Sequence, residues 1–302
     1  MGDVLAALRA TGADVAPDAP LAPLTTLRVG GPARVLVGVG DEAVLGRVLA
    51  VAEAAAWPWV VIGRGSNLLV PDAGWPGVAI RLDGALRAIV VAGEEVRAGG
   101  AAALPTVAIR AAEAGLGGFA WGVAVPGSVG GAVRMNAGAH GADMADAVVS
   151  ARLVRPGATS AEVVPAAALG LRYRGSDVPP DAVVTGAVLR LAPADAGTVR
   201  AEMDDIRAWR RAHQPLHAAT CGSVFTNPPG DSAGRLVEAA GLKGHRVGGA
   251  AVSATHANFV ETTPGARADD VLRLVEEVRA EVARTTGVEL ATEVVILRPP
   301  SG

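Results

Sequence analysis

The chain has 302 residues and a net charge of −3, so it is long enough to bury cores in two or three domains. The charge balance predicts no nucleic-acid partner. Cys221 is the only cysteine, which excludes an internal disulfide and a cysteine-based zinc site, and the five histidines lack metal-ligand spacing. No metal is therefore predicted. The start of the chain, Met1 to Val4, has an early acidic residue and no apolar core typical of a signal peptide, which predicts a cytoplasmic location.

Helices and strands alternate in the first two thirds of the chain. Helical spacing predicts helices over residues 45–56 and 104–114, the second closed by Gly115 in the C′ position. Runs rich in β-formers predict strands over residues 59–62, 78–82, 148–154, 162–164 and 183–191, and a hairpin over residues 87–97. This pattern favours an α+β fold over the repeated βαβ units of a Rossmann domain.

A glycine-rich turn follows the strand at residues 59–62. It consists of Gly63, Arg64, Gly65, Ser66 and Asn67, and Leu68 begins a second apolar run. Glycine reaches positive φ and lets another molecule approach closely, so the N–H groups of such a turn can hold an anion. Because the turn joins two strands rather than opening a helix, it does not fit NAD binding of the Rossmann type. We interpret it as a phosphate cradle, with a glycine connection that binds nothing as the alternative.

Residues 114–133 carry no charge over 20 residues, which is long enough to cross a membrane. Seven glycines and Pro126 lie in this stretch, and they disfavour a helix and offer few side chains to lipid. We therefore predict buried loop and turn, and no membrane partner.

A second glycine-rich segment overlaps this stretch and continues to Gly141. Its candidate ligand-contacting residues are Pro126, Gly127, Ser128, Gly130, Gly131, Asn136, Ala137 and Gly138. Two such loops favour a large cofactor with several phosphates, and close packing between helices and strands is the alternative.

The last third begins after a predicted linker at residues 192–197. A charged helix is predicted over residues 201–211 and an amphipathic helix over residues 267–286, ended by Gly287. A final strand is predicted over residues 288–297. Its alternation places Val288, Leu290, Val294 and Ile296 on one face and Glu289 and Glu293 on the other.

Several separated motifs follow one another in a recognisable order. They are residues 25–33, the turn with Asp72-Ala73-Gly74-Trp75-Pro76-Gly77 behind it, residues 126–141, Leu171-Arg172-Tyr173-Arg174-Gly175-Ser176, Cys221-Gly222-Ser223-Val224-Phe225-Thr226-Asn227-Pro228, residues 233–250, His256-Ala257-Asn258-Phe259 and Glu293-Val294. This order resembles the UDP-N-acetylenolpyruvoylglucosamine reductase family over nearly the whole chain.

The resemblance implies a fold and a reaction. The implied fold is α+β, with a two-subdomain FAD-binding domain of the PCMH or vanillyl-alcohol-oxidase-like type and a C-terminal α+β substrate-binding domain. We predict the first domain over residues 1–197, with subdomains of about 1–82 and 83–197, and the second over residues 198–302. The implied cofactor is FAD with NADPH as hydride donor, and the implied substrate is UDP-N-acetylglucosamine-enolpyruvate, reduced to UDP-N-acetylmuramate for peptidoglycan. A monomer is expected.

Hydride delivery to the enolpyruvyl methylene carbon spreads negative charge towards the carboxylate, and the adjacent carbon must then gain a proton. By the resemblance, Arg174 stabilises the developing enolate, Ser223 donates the proton and Glu293 joins Arg174 around the intermediate. Taken alone, these residues would be read as an ion-pair arginine, a turn serine and a charged residue protecting a strand edge.

Substrate contacts are also implied by the matching positions. Tyr173, Asn227 and His256 are expected near the UDP-sugar, with Lys243 as a helper for the diphosphate. Thr226 stands where the family often has lysine, so one positive contact is missing or is supplied by Arg210, Arg211 or His213. The short interval over residues 176–223 leaves no room for the substrate-covering segment of longer members, which places the chain with the shorter type.

Two other classes stay open on the residues alone. A flavin oxidase of the same cofactor-binding superfamily would share the first two thirds, and covalent attachment of its flavin would have to use His140. A non-catalytic nucleotide-binding protein would be expected to lack Arg174, Ser223 and Glu293, all of which are present. Cys221 is expected to pack as a small residue and not to act as a nucleophile.

Overall fold

The structure of the protein is a computed structural model that describes residues 1–298. Seven α-helices lie in this range, namely α1 (Gly2–Ala10), α2 (Glu42–Ala54), α3 (Leu104–Glu113), α4 (Val129–Arg134), α5 (Ala196–His213), α6 (Ala233–Ala239) and α7 (Ala268–Thr286). The strands of the same range are β1 (Asp14–Pro20), β2 (Pro32–Val39), β3 (Trp59–Val61), β4 (Leu68–Leu69), β5 (Trp75–Leu82), β6 (Ile89–Ala92), β7 (Glu95–Gly99), β8 (Leu116–Gly117), β9 (Gly138–Ala139), β10 (Ala142–Asp143), β11 (Val148–Val154), β12 (Glu162–Pro165), β13 (Val183–Arg190), β14 (Ala192–Pro193), β15 (Ala219–Ser223), β16 (Arg246–Val247), β17 (Ala250–Val252), β18 (Phe259–Thr262) and β19 (Val295–Ile296).

These elements form two compact units that interleave along the chain. The first unit comprises Met1–Asp18, Arg34–Arg64 and Gly77–Trp209, and the second comprises Ala19–Ala33, Gly65–Pro76 and the residues from Arg210 onward. The domains predicted from the sequence, residues 1–197 and 198–302, are each continuous along the chain. Their boundaries describe independently folding domains and remain a prediction. The last four residues of the predicted second domain lie outside the described residues.

The first unit contains two hydrophobic cores. A four-stranded sheet in the order β1-β2-β5-β3 accompanies α1 and α2, and Leu8, Leu49 and Ile80 are fully buried in its core. A five-stranded antiparallel sheet in the order β12-β11-β13-β7-β6 accompanies α3 and α4, with Phe119 and Leu189 in the second core. Burying apolar faces of helices against sheets in this way is what stabilises both layers.

Glu42 at the start of α2 forms hydrogen bonds to residues of the five-stranded sheet. Its carboxylate accepts from Thr185 Oγ1 at 2.7 Å and from Arg152 Nε at 2.8 Å. The hydrogen bond from the Arg152 guanidinium lowers the pKa of Glu42, although burial acts in the opposite direction. A charged, hydrogen-bonded side chain therefore joins the helix of the first core to the sheet of the second.

In the second unit, an antiparallel sheet in the order β15-β18-β17-β16 packs with α6 and α7. The buried residues of α7 recur at helical spacing, and they are Ala268, Asp270, Val271, Leu274, Val275, Val278 and Val282. Gly287 ends the helix at a φ of 73°, which is the left-handed C-cap conformation that glycine adopts without steric cost.

Most predicted elements are confirmed with small changes of boundary. The helices predicted over residues 45–56, 104–114, 201–211 and 267–286 correspond to α2, α3, α5 and α7. The predicted hairpin over residues 87–97 is formed by β6 and β7, and the remaining strands of the first two thirds correspond to β3, β5, β11, β12 and β13. The sequence predicts a second strand directly after the glycine-rich turn. It is confirmed only for Leu68 and Leu69, which form β4.

The linker predicted over residues 192–197 is wrong. Ala192 and Pro193 pair with Gly117 and Leu116, and α5 already begins at Ala196. The Pro/Gly/Asp composition instead marks a helix start, because the Asp195 carboxylate accepts the Thr198 N–H at 2.8 Å.

The strand predicted over residues 288–297 is wrong except at β19. The alternation reports burial correctly, since Leu290 and Val294 are 1% and 3% exposed. The backbone before β19 forms separate hydrogen bonds with the segment after β15 and no regular ladder. The Thr226 N–H donates to Ala291 O at 2.9 Å, and the Glu293 N–H donates to Val224 O at 2.7 Å. Alternating burial therefore does not require a continuous ladder here.

The stretch at residues 114–133 is mostly buried, as predicted, but it is not only loop and turn. It contains β8, a 3-10 turn at Ala120–Ala124 and most of α4. Among the described residues, no helix combines the length and apolar character needed to cross a membrane.

Candidate functional site

The glycine turn has a conformation that its sequence requires. Gly65 has a φ of +63°, and a Cβ at this position would collide with the backbone of Leu24 and Thr25. The Gly65 carbonyl accepts the Thr26 N–H at 3.1 Å, which holds the turn in place. In the part of the chain that the structure describes, the N–H groups of Gly65 and Ser66 donate to no protein acceptor. Those two donors therefore suit an anion, as a phosphate cradle requires.

The first residue of the turn, Gly63, meets the second glycine segment within the first unit. A Cβ on Gly63 would collide with Ser128 Oγ, so the absence of a side chain is what allows the two segments to touch. Ser128 is 6% exposed, and its backbone forms a β-bridge with Ala103. The structure thus brings together two of the predicted cofactor-binding residues.

The glycines of the second segment fall into two groups. Gly130 donates its N–H to Gly100 O at 2.8 Å, and a Cβ there would lie 2.7 Å from Val184 O, so packing within the protein explains this glycine. At Gly127 and Gly131 the nearest atoms to a built Cβ are 3.6 and 3.7 Å away, which is ordinary contact. Neither has positive φ. Among residues 1–298, no atom therefore requires glycine at these two positions on steric grounds, whereas a cofactor lying against the backbone would.

Asn136 uses its side chain within the protein. Its Nδ2 donates to Asp143 Oδ2 at 2.9 Å and to Arg172 O at 3.2 Å, and its Oδ1 accepts the Ala145 N–H at 2.9 Å. The residue is 2% exposed and has a φ of +40°, a conformation that asparagine tolerates better than most residues. Asn136 therefore orders the loop that leads to Arg174. The neighbouring Ala137 donates its N–H to Ala132 O at 2.8 Å.

Arg174 lies at the tip of a tight turn. The N–H groups of Arg172 and Gly175 each bond the other residue's carbonyl, which leaves Tyr173 and Arg174 between them. Arg174 has a φ of +55°, a sparsely populated region for a residue with a side chain, costing ~1–3 kcal/mol. Its Nη2 donates to Gly138 O at 3.2 Å, and its guanidinium lies 5.2 Å from the ring centre of Tyr173, which is 57% exposed. Backbone strain of this kind concentrates at functional positions.

In the second unit, Ser223 follows a β-bulge. Thr220 pairs with Glu261 and Ser223 pairs with Phe259, so Cys221 and Gly222 together face a single partner position. Gly222 supplies the positive φ of 76° that this irregularity needs. Bulges redirect side chains and are frequent beside active sites.

Glu293 lies next to Ser223 through a backbone contact. The Glu293 N–H donates to the carbonyl of Val224, the residue after Ser223, at 2.7 Å. Asn258 fixes the same segment, since its Oδ1 accepts the Phe225 N–H and its Nδ2 donates to Phe225 O, both at 2.9 Å. The structure therefore brings Ser223 and Glu293 together. Asn258 belongs to one of the sequence motifs, but no local pattern there indicates this role.

The predicted substrate residues have identifiable partners in the second unit. Asn227 Oδ1 accepts the Ala233 N–H at 3.0 Å, and Lys243 Nζ lies 2.8 Å from Glu238 Oε1. Lys243 is therefore already neutralised by a neighbouring carboxylate.

His256 is half-buried against an aromatic ring. Its Nδ1 accepts the Asn258 N–H at 3.2 Å, and its ring centre lies 4.6 Å from that of Phe259. Burial is the main cause that lowers the pKa of His256, and the charge of Lys243 adds to this effect. Burial therefore favours the neutral form of His256, which is suited to hydrogen bonding.

Two further candidates have no catalytic environment in the structure. Cys221 is buried in the second unit, and burial raises the pKa of its thiol to about 12, as expected for a packed residue. His140 is exposed, and its ring lies edge-on to Trp209 at 5.1 Å.

Comparison with known proteins extends over nearly the whole chain. The sequence is 45% identical to UDP-N-acetylenolpyruvoylglucosamine reductase 2 of Symbiobacterium thermophilum over 278 residues, covering 92% of this chain and 90% of that protein. It is 46% identical to the UDP-N-acetylenolpyruvoylglucosamine reductase of Anaeromyxobacter sp. over 281 residues, covering 93% and 88%. The crystal structure of the reductase from Thermus caldophilus matches with a TM-score of 0.82 at 36% identity, covering 95% of this chain and 99% of that one.

Two family descriptions locate the match along the chain. The FAD binding domain family matches residues 33–164, so the fold and the glycine segments define a flavin-dependent oxidoreductase. The family described as UDP-N-acetylenolpyruvoylglucosamine reductase, C-terminal domain, matches residues 214–297. The chain belongs to the UDP-N-acetylenolpyruvoylglucosamine reductase family. The predicted family, fold class and FAD cofactor are confirmed.

Proposed function

We propose that this chain uses NADPH and FAD to reduce the enolpyruvyl group of UDP-N-acetylglucosamine-enolpyruvate to UDP-N-acetylmuramate for peptidoglycan synthesis. Family membership supports the reaction class. The observation that supports the chemistry most directly is the 2.7 Å bond from the Glu293 N–H to the carbonyl of Val224, because it holds Glu293 beside the residue that follows Ser223. We also propose that the enzyme acts in the cytoplasm as a monomer of the shorter family type.

The cofactor-binding residues are proposed to divide by role. Gly65 and Ser66 of the turn hold the pyrophosphate through their free N–H groups, and Gly127 and Gly131 leave room for the cofactor against the backbone. Gly63, Ser128 and Gly130 shape the segments by packing. Bound FAD supplies hydride transfer from NADPH to the substrate.

The protein's own residues handle charge and proton. An arginine side chain carries a positive charge, so Arg174 suits the negative charge that develops towards the substrate carboxylate. Ser223, placed by the bulge, is proposed to give the proton to the carbon beside the reduced methylene. A hydroxyl is a weak acid, so a water-poor and polarised setting is required, and half-buried Glu293 is proposed to contribute to it.

Substrate recognition is proposed to involve Tyr173, Asn227, His256 and Lys243. Tyr173 offers an exposed ring beside Arg174, and neutral His256 offers a hydrogen bond. Lys243 must exchange its contact with Glu238 for the diphosphate, or share it, before it can contribute. Its contribution to binding should therefore be modest.

The half-reactions can be measured separately. Purified protein should show flavin absorbance, NADPH should bleach it without oxygen, and the enolpyruvyl sugar nucleotide should restore it. In Ser223→Ala we expect the restoring step to slow by at least ~100-fold, since general acid catalysis contributes ~10²–10⁴-fold, with reduction by NADPH within ~2-fold of the wild type. Ser160→Ala, an exposed serine in a loop, is the matched control and should change neither step.

Three results would contradict the proposal. Colourless protein that FAD does not reconstitute would remove the flavin chemistry. NADPH oxidation that does not depend on the sugar nucleotide would indicate an oxidase. Equal loss of both half-reactions in Ser223→Ala would show that the serine is structural.

A further inference from the structure

The side chain of Asn67 joins the glycine turn to the segment that carries Glu293. Asn67 Nδ2 donates to Glu293 O at 3.1 Å, and Asn67 O accepts the Val295 N–H at 3.0 Å. One step further, Leu69 O accepts the Leu297 N–H at 3.0 Å, and β4 and β19 pair in parallel. Residues 67–69 therefore hold residues 293–297 by a continuous set of bonds, of which only the first uses a side chain.

The backbone of Glu293 is consequently held on both sides. Its N–H bonds to Val224 O next to Ser223, and its carbonyl accepts from Asn67. The Cα–Cβ direction of a residue is set by the two peptide groups that flank it. The position of the Glu293 carboxylate relative to Ser223 thus depends on the amide of Asn67 as well as on the bulge.

We propose that Asn67 is a positioning residue for the reduction of the sugar nucleotide and that it acts through Glu293. The inference rests on the proposed function. Gly65 and Ser66 in the same turn are assigned to the cofactor. The Asn67 amide instead holds Glu293, which is assigned to act with Ser223. Replacing the amide by a carboxylate of the same shape would place an oxygen against the Glu293 carbonyl oxygen, so only a donor fits this contact.

The kinetic test separates positioning from cofactor binding. In Asn67→Ala and Asn67→Asp, restoration of flavin absorbance by the sugar nucleotide should slow by ~10–100-fold, because small misplacements of reacting groups have effects of this size. Flavin content and the rate of reduction by NADPH should stay within ~2-fold of the wild type. In a Glu293→Ala background, Asn67→Ala should cause no further loss, since residues that act as one unit are not additive. Glu289→Gln, an exposed glutamate of the same segment, is the control.

A second readout does not depend on catalysis. In protein freed of FAD, hydrogen exchange over residues 293–297 should be about fivefold faster in Asn67→Ala and Asn67→Asp than in the wild type, while α7 is unchanged. Unchanged exchange, additive kinetics or loss of FAD from Asn67→Ala would overturn this inference alone. A wild-type enzyme that does not reduce the sugar nucleotide would overturn the proposed function, and this inference with it.

Discussion

Asp72 caps α7 from a distant part of the sequence, and removing its carboxylate should destabilise the second unit. Its oxygens accept the N–H groups of Ala268 at 3.0 Å and Asp269 at 3.1 Å, and Arg267 Nε at 3.3 Å. A lost N-cap costs ~0.5–2 kcal/mol, and hydrogen bonds to a charged group contribute ~1.5–3 kcal/mol. Because the carboxylate is only partly buried, we expect Asp72→Ala to lower the free energy of unfolding by ~2 kcal/mol.

Urea unfolding followed by circular dichroism at pH 7 measures this difference, with Asp269→Ala as the matched control. Asp269 is in the first turn of the same helix, but its side chain is 56% exposed, so its loss should cost less than ~0.5 kcal/mol. Burial raises the pKa of Asp72, but the N–H donors of Ala268, Asp269 and Arg267 together bring it below the ordinary 3.8. The stabilisation is therefore present above pH 3.8 and is lost as pH falls through the lower pKa of the folded state. Equal costs for the two variants, or a difference that persists in acid, would refute this reasoning.

Three other substitutions or reagents test separate features. Glu42→Gln should lower the free energy of unfolding by ~1–2 kcal/mol at pH 7. Because Arg152 lowers the pKa of Glu42 below 4.5, the difference in free energy of unfolding between variant and wild type, measured in urea, should disappear below pH 4.5. Gly131→Ala should fold at least as stably as the wild type but bind FAD at least ~10-fold more weakly in fluorescence titrations, whereas Gly130→Ala should unfold at lower temperature; equal FAD affinity in Gly131→Ala would contradict the cofactor role. The Cys221 thiol, with a pKa of about 12, should not react with a thiol reagent at pH 8 until urea is added, and rapid native labelling would show that it is accessible.

Local sequence patterns predicted most of the secondary structure and the order of the site motifs. The amphipathic spacing of residues 267–286 and the terminal Gly287 predicted α7 to within one residue, because both signals act over a few neighbouring positions. The alternation over residues 288–297 predicted burial correctly and a strand wrongly, because burial depends on packing and a strand needs a hydrogen-bonded neighbour along its whole length.

In the candidate site, too, local patterns indicated which residues to consider, and packing decided what each of them does. The sequence assigned Asn136 to the cofactor because it lies in the second glycine-rich segment, and the structure shows its amide bonded to Asp143 and Arg172. The glycines of the second segment look alike in the sequence, yet Gly130 is required by the backbone packed against it and Gly131 is not.

The sequence by itself determined the α+β class, the glycine turn as an anion-binding candidate and, by resemblance, the family and its catalytic residues. These depend on residue type and spacing within short segments, where backbone preferences act. Only the tertiary structure decided that Asp72 caps α7, that Asn67 holds the carbonyl of Glu293 and that Ser223 and Glu293 are neighbours. Each of these contacts joins residues far apart in the chain, and partners at that distance are selected by packing, which no local pattern encodes.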